Sequence, residues 1–376
     1  MKNQLLVVII LSGGLVKLFL IENNKMTSSQ NLEKGAHNLL KNCANLLTDQ
    51  KLIIISEDPS LGWYSSDITH YIKKAATEMG IKTSILEVGE PQNDSKSKLT
   101  DIIEDFDCVL FFARIGDQDR FEKSHFKTKR VMSYVRNLEN LGSTFGHTHH
   151  HSLIELKKAI NSIFSNGGLV KINCPLGTSV EGNLPQTIID ESSDVGVLRF
   201  PMLVPTPVSA KKFSGKVVLT KYLTPSGSKV YEPASLALKS NIFTIIKDGK
   251  IEGFEGDNET IKNVEKHYHK ISKMFNISKN IVDSWHAGIH PGTYYNKSIE
   301  ENPDRWSNTI FGSPKYLHFH TCGDYPPGEI CWMIENPSIT IQDIPLWENG
   351  NLMLKNFKET RYLLEKWVDL KKLFVN

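Results

Sequence analysis

From residue 31 to residue 177, short apolar runs alternate with stretches of helical periodicity. No other feature of the chain constrains its fold as much. "KLIIISED", "KTSILEVGE", "CVLFFARIG" and "LVKINCPLG" each read as a strand. Around them, "LEKGAHNLLKNCANLL", "SSDITHYIKKAATEMG", "LTDIIEDF" and "SLIELKKAINSIFSN" space their apolar residues as amphipathic helices. Gly80 stands where a helix C-cap belongs. Strands and helices in this order predict a parallel sheet covered by helices on both faces.

After residue 195 the pattern changes. "VGVLRFPMLVPTP", "KVVLTKYL" and "NIFTIIKDGKIEGFEG" are short β-type runs broken by Gly and Pro. "TIKNVEKHYHKISKMF" and the terminal "TRYLLEKWVDLKKLF" read as helices. The expected fold class is α/β: a Rossmann or flavodoxin-like domain over 31–165, then a β-rich α+β domain over 166–376. Residues 1–30 form an N-terminal extension.

A chain of 376 residues, 40% hydrophobic and 23% charged, is long enough for two such domains. Its net charge of +2 gives no electrostatic argument for nucleic acid or an anionic membrane. The most basic run, Lys127-Thr-Lys-Arg130, is short and reads as a solvated helix face. Five cysteines, without CxxC spacing, argue against a disulfide framework and for a reducing, cytoplasmic setting. Leu5 to Ile21 is an apolar run interrupted by Gly13, Gly14 and Lys17, slightly short for a membrane span of ~20 residues. Translation from Met26 would remove it; a membrane anchor or export signal is the alternative.

Three segments concentrate histidine. "GHTHHHS", with His147 to His151, lies in a polar stretch and reads as a loop and helix start with solvated rings. "WHAGIHPGTYY" carries His286 and His290, but Gly288 and Pro291 disfavour the helix that would put both on one face. It reads as a loop leaving a helix, a place that often carries function. The third, "YLHFHTCGDYPPGEICWMI", reads as two strands around a turn. Alternation sends His318, His320 and Cys322 to one face, and Glu329, Cys331 and Met333 to one face of the second strand. Paired as a hairpin, Cys322 would oppose Glu329, His320 would oppose Cys331, and all six would share a face. Imidazole, thiolate and carboxylate together suit zinc or iron.

These segments resemble a known family. "LEKGAHNLLKNCANLLTDQKLIIISED" looks like the N-terminal signature of the thermophilic metallo-aminopeptidases (aminopeptidase T). "INCPLGTSV" resembles their Gly-Thr segment, "WHAGIHPGTYY" their "GxNP"-type loop, and "FGSPKYLHFHTCGD" their "GTxHIALG" element. Order and spacing match over residues 31 to 355. The family also includes the 2,5-dihydroxypyridine dioxygenases, which use mononuclear iron. The resemblance implies an α/β N-terminal domain, a metal-holding C-terminal domain and a homodimer. It places the family's ligand histidine on His318. The family's His-x-Asp falls on "EICWM", and its metal-binding Glu falls within "FPMLVPTP", which has no carboxylate. His320, Cys322, His286 and His290 are additional here and could rebuild a site.

The leading expectation is therefore a divalent-metal (zinc or iron) hydrolase acting on a peptide-like or other small amide. His318, His320 and one of His290 or His286 would hold the metal, and Glu329 would be general base for the attacking water. Tyr294 or Tyr295 would donate to the developing oxyanion. Mononuclear iron acting on a small aromatic, with Trp285, Trp306 and Trp332 lining a pocket, is the second expectation. A binding protein with no catalytic metal is the third.

Overall fold

The structure, a computed structural model, describes residues 28–91, 95–118, 127–187, 196–226, 231–324 and 328–375. The apolar run 5–21 and Met26 lie outside them. Among the described residues, no helix is long and apolar enough to cross a membrane.

The first sheet is parallel throughout. Its strands are Lys51–Glu57, Lys82–Val88, Cys108–Phe112, Lys129–Ser133 and Leu198–Phe200, and their spatial order is second, first, third, fourth, fifth. That is the order of a flavodoxin-like doubly wound sheet. Lys51–Glu57 is buried from its second residue onward and Cys108–Phe112 throughout, as strands covered on both faces should be. Helices Ser28–His37 and Ser66–Glu78 contribute Ala36, Ile68, Ile72 and Ala76 to the core on this sheet.

Two expected elements change place. "LVKINCPLG" does form a strand, Gly168–Asn173, but it pairs antiparallel with Ser179–Leu184. The turn at 174–178 brings the chain straight back, whereas a parallel neighbour needs a crossover connection. The fifth parallel position falls to Leu198–Phe200 instead. Lys127 to Arg130 is not a helix face: the strand Lys129–Ser133 begins within it, with Thr128 buried. The apolar "VMSYV" that follows draws these residues into the sheet.

The second half consists of an eight-stranded sheet and a six-stranded sheet. Its core includes Phe213, Trp285, Phe319, Trp332 and Trp347, and helix Asn258–Phe275 adds Val264, Tyr268 and Ile271. Asp257 caps that helix by accepting from the Thr260 N–H at 2.8 Å. Helix His150–Ser165 packs Leu153, Leu156 and Ile160 into this same core, although it precedes residue 166. The chain thus crosses between the two cores near 150, returns near 197 and crosses once more after 204. The expected terminal helix is broken into Lys358–Arg361, Leu363–Lys366 and Val368–Phe374.

Candidate metal centre

The hairpin forms in the expected register. Tyr316–Thr321 pairs antiparallel with Ile330–Glu335, setting His318 opposite Met333 and His320 opposite Cys331. The Glu329 N–H donates to the Cys322 carbonyl at 3.0 Å. Part of the turn, residues 325–327, lies outside the described residues. Leu317, Phe319, Trp332 and Ile334 enter the main core, whereas Cys331 and Met333 pack with Trp306 and Ile310 of helix Pro303–Ile310. The two faces therefore separate as a period of two requires.

Cys322 departs from this alternation. Its φ of 62° lies in the left-handed region, and its thiol faces the Tyr268 carbonyl at 4.0 Å on the Trp332 side. The six polar and sulfur side chains do not share one face.

The third strand supplies what the hairpin lacks. "WHAGIH" does not leave a helix: Val282–Ala287 is a strand paired antiparallel with Tyr316–Thr321. His286 stands directly opposite His318, and Ser284 opposite His320. Directly opposed side chains start about 4.5–5.5 Å apart at Cβ, so three imidazoles meet on this face. One ring nitrogen from each lies within 4.8 Å of the other two, and all three residues are buried. Among the described residues, they are the only histidine, cysteine or carboxylate side chains so gathered.

The hydrogen bonds fix which nitrogens turn inward. His286 Nδ1 is 3.2 Å from the Pro205 carbonyl, which can only accept, so Nδ1 carries the proton and Nε2 the lone pair. His320 Nε2 lies 3.1 Å from that Nε2 and donates to it. His320 Nδ1 then accepts from the Ser226 hydroxyl at 3.2 Å. A hydroxyl donates or accepts equally well, so Ser226 also suits the other His320 tautomer, which would free Nε2 as a ligand. Two nitrogens bound to one tetrahedral zinc at ~2.0–2.1 Å lie roughly 3.3 Å apart, close to the spacing already present. Burial first, then His318 and His320, hold His286 well below the usual imidazole range. It is neutral, as a ligand must be. The donor set, its spacing and the outer hydrogen bonds fit a single metal ion.

The remaining expected residues lie elsewhere. His290 is fully buried with its ring against Phe145, at 5.3 Å between centroids; its backbone N–H donates to the Gly312 carbonyl and its Nδ1 accepts from the Gly292 N–H. It does not join the three. Glu329 is buried beside the hairpin, and its carboxylate acts on Cys322 and Tyr231, pushing both up after burial has done so. Tyr294 is partly exposed and donates to Glu139 at 2.9 Å. Trp285 and Trp332 are core residues; Trp306 packs edge-on to Tyr316 at 6.0 Å. In "GHTHHHS", His150 is not solvated but buried against Phe200.

Ser226, Pro205 and Phe311 carried no sequence signal. "FPMLVPTP", where the family Glu was missing, contributes a backbone carbonyl, which no residue pattern reveals. Phe311 stands edge-on to His318 at 6.1 Å and to Tyr134 at 5.3 Å, closing the histidine face toward the parallel sheet.

Gly288 governs how the strand bearing His286 leaves the sheet. A Cβ there would meet Gly312 C and Ser313 O at 2.3 Å, both backbone atoms. Gly288→Ala is expected to destabilise by about 1–3 kcal/mol through this overpacking. A urea midpoint unchanged from wild type would refute that close approach.

No protein-family model matches the chain, and no curated protein does. Among solved structures, a 2,5-dihydroxypyridine dioxygenase from Pseudomonas putida KT2440 superposes with a TM-score of 0.57 at 13% identity, covering 89% of this chain and 100% of that one. Wild-type AmpT from Thermus thermophilus gives 0.49 at 11% identity, covering 87% and 100%. The first shows a shared α/β fold along nearly the whole chain.

Proposed function

We propose that the protein is a metal-dependent hydrolase acting on a peptide-like or other small amide, with one zinc ion held by His286, His318 and His320. The convergence of three buried imidazoles within 4.8 Å carries this reading. Three histidines with an open fourth position match a catalytic zinc set better than the two-histidine, one-carboxylate set of oxygen-activating iron. Bound there, zinc would supply Lewis acidity and lower the pKa of water to about 7.

The chain's own residues prepare for this. The Pro205 carbonyl keeps the His286 proton on Nδ1, and Ser226 orients His320. Phe311 walls His318 off from the parallel sheet. A homodimer and a cytoplasmic location belong to the same reading; a monomeric mass by light scattering would remove the first, and fractionation with membranes the second.

A second reading keeps the cluster but places mononuclear iron in it, oxidising a small aromatic ring. It is favoured by the single cluster among the described residues, which gathers no carboxylate to bridge a second ion, and by the neighbour described as a dioxygenase. Elemental analysis of protein purified without an affinity tag decides. About one zinc per chain supports the hydrolase, about one iron supports the second reading, and folded protein that binds neither overturns both.

A further inference from the structure

At the carboxyl edge of the parallel sheet, the strand order reverses between Lys51–Glu57 and Cys108–Phe112. In open α/β sheets, this switch point is where ligands bind. Arginine and aromatic residues gather there, and the histidines take no part.

Glu57, the last residue of its strand, is buried and fully engaged. It accepts from the Arg114 backbone N–H at 2.7 Å and from Arg114 Nε at 2.8 Å. Trp63 lies beside both local guanidiniums, with Arg114 Cζ 4.4 Å and Arg136 Cζ 5.1 Å from its ring centroid. Tyr64 spends its hydroxyl on the Ser133 carbonyl, and Tyr134 donates to Asp117.

Arg136 has no such settlement. It is 5% exposed, and its Nη2 donates to the Asn308 carbonyl at 3.1 Å. Its Nε and Nη1 are enclosed with no hydrogen-bond partner among the described residues. Those two atoms carry most of the five guanidinium donors. The Tyr295 hydroxyl is likewise enclosed without a partner. Arg136 reaches helix Pro303–Ile310 through the Asn308 carbonyl, Tyr295 packs against Trp306 and Ile310 of that same helix, and Arg305 lies on its first turns, so the three residues meet around one helix. A buried cation needs a counter-charge and its donors need acceptors; Glu57 acts on Arg136 from nearby, but its two oxygens are bonded to Arg114. Contact with an aromatic face offsets part of the charge but occupies none of the N–H groups. A water molecule could accept from one of them without balancing the charge.

We propose that Arg136, Arg305 and Tyr295 form an oxyanion-binding site that takes the carboxylate or phosphate group of a small molecule. The site stands apart from the metal reading, because no histidine of that cluster belongs to it.

Titration calorimetry of the full chain in chloride-free buffer tests this with inorganic phosphate and with benzoate. Saturable binding of either is expected, and it should survive treatment with a chelator, so loss of the metal and loss of this site are separate results. Binding of phosphate alone identifies a phosphorylated ligand; binding of benzoate alone identifies a carboxylic acid. Arg136→Lys and Arg305→Gln are each expected to weaken binding about tenfold or more, since each removes a charge-assisted donor set. If Arg136→Lys does not fold, Arg305→Gln decides. Absence of saturable binding of both anions to the wild type, or unchanged affinity in the folded variants, overturns the proposal.

Discussion

Replacing His318 and His320 together by alanine is expected to abolish stoichiometric metal binding and every trace of metal-dependent stabilisation. Two of three gathered ligands would be gone, and His286 alone cannot hold an ion against the cost of dehydrating it. A ligand that binds only the folded chain stabilises it by about 4 kcal/mol at a thousand times its Kd. Zinc should therefore raise the unfolding midpoint of the wild type and leave the double variant unmoved. Comparing each protein with and without zinc removes the cavity left by the deleted rings from the result. Cys322→Ser serves as a control that should keep its metal, since that thiol faces the Tyr268 carbonyl. A double variant that still holds one metal per chain would place the ion elsewhere.

The second large effect is acid lability. Burial pushes His150 and His290 down to about 3 and His267 to about 4, from an ordinary 6.5. All three stay neutral in the folded protein while the unfolded chain takes up protons below pH 6.5. Unfolding therefore binds protons, and stability is lost as pH falls through the unfolded value. The loss begins near 6.5 and continues until the folded groups themselves titrate, near 4 for His267 and near 3 for the other two. Each histidine contributes a slope of ~1.4 kcal/mol per pH unit inside its window. Urea midpoints measured from pH 7.5 to 4.5 check this, and His290→Gln should reduce the slope by about one proton. A pH-independent midpoint over that range would be incompatible with three buried neutral rings.

Much of the fold was legible because its signals are local. "KLIIISED" and "CVLFFARIG" are too apolar for any strand but one buried on both faces, and helices of matching length surround them. "LVKINCPLG" had the same signal and went to another sheet, because its partner was set by the tight turn after it rather than by its own composition. Helix His150–Ser165 was recognised as amphipathic, but the pattern of one face says nothing about which core that face joins.

The candidate site divides along the same line. That His318 and His320 share a face, and that the strand holding them turns back on "EICWMI", follows from local pattern alone, because side-chain direction alternates with an unvarying period of two. The sequence also excluded a carboxylate from "FPMLVPTP". The assembled sheet was needed to place His286, 34 residues before His320, across from them, to turn His290 away, and to take Cys322 off the face through a left-handed φ. Cross-strand register is set by packing over the whole sheet, and no local pattern records it. The same holds for Arg136, whose burial among Trp63, Tyr64 and Asn308, far apart in the chain, has no trace in the residues beside it.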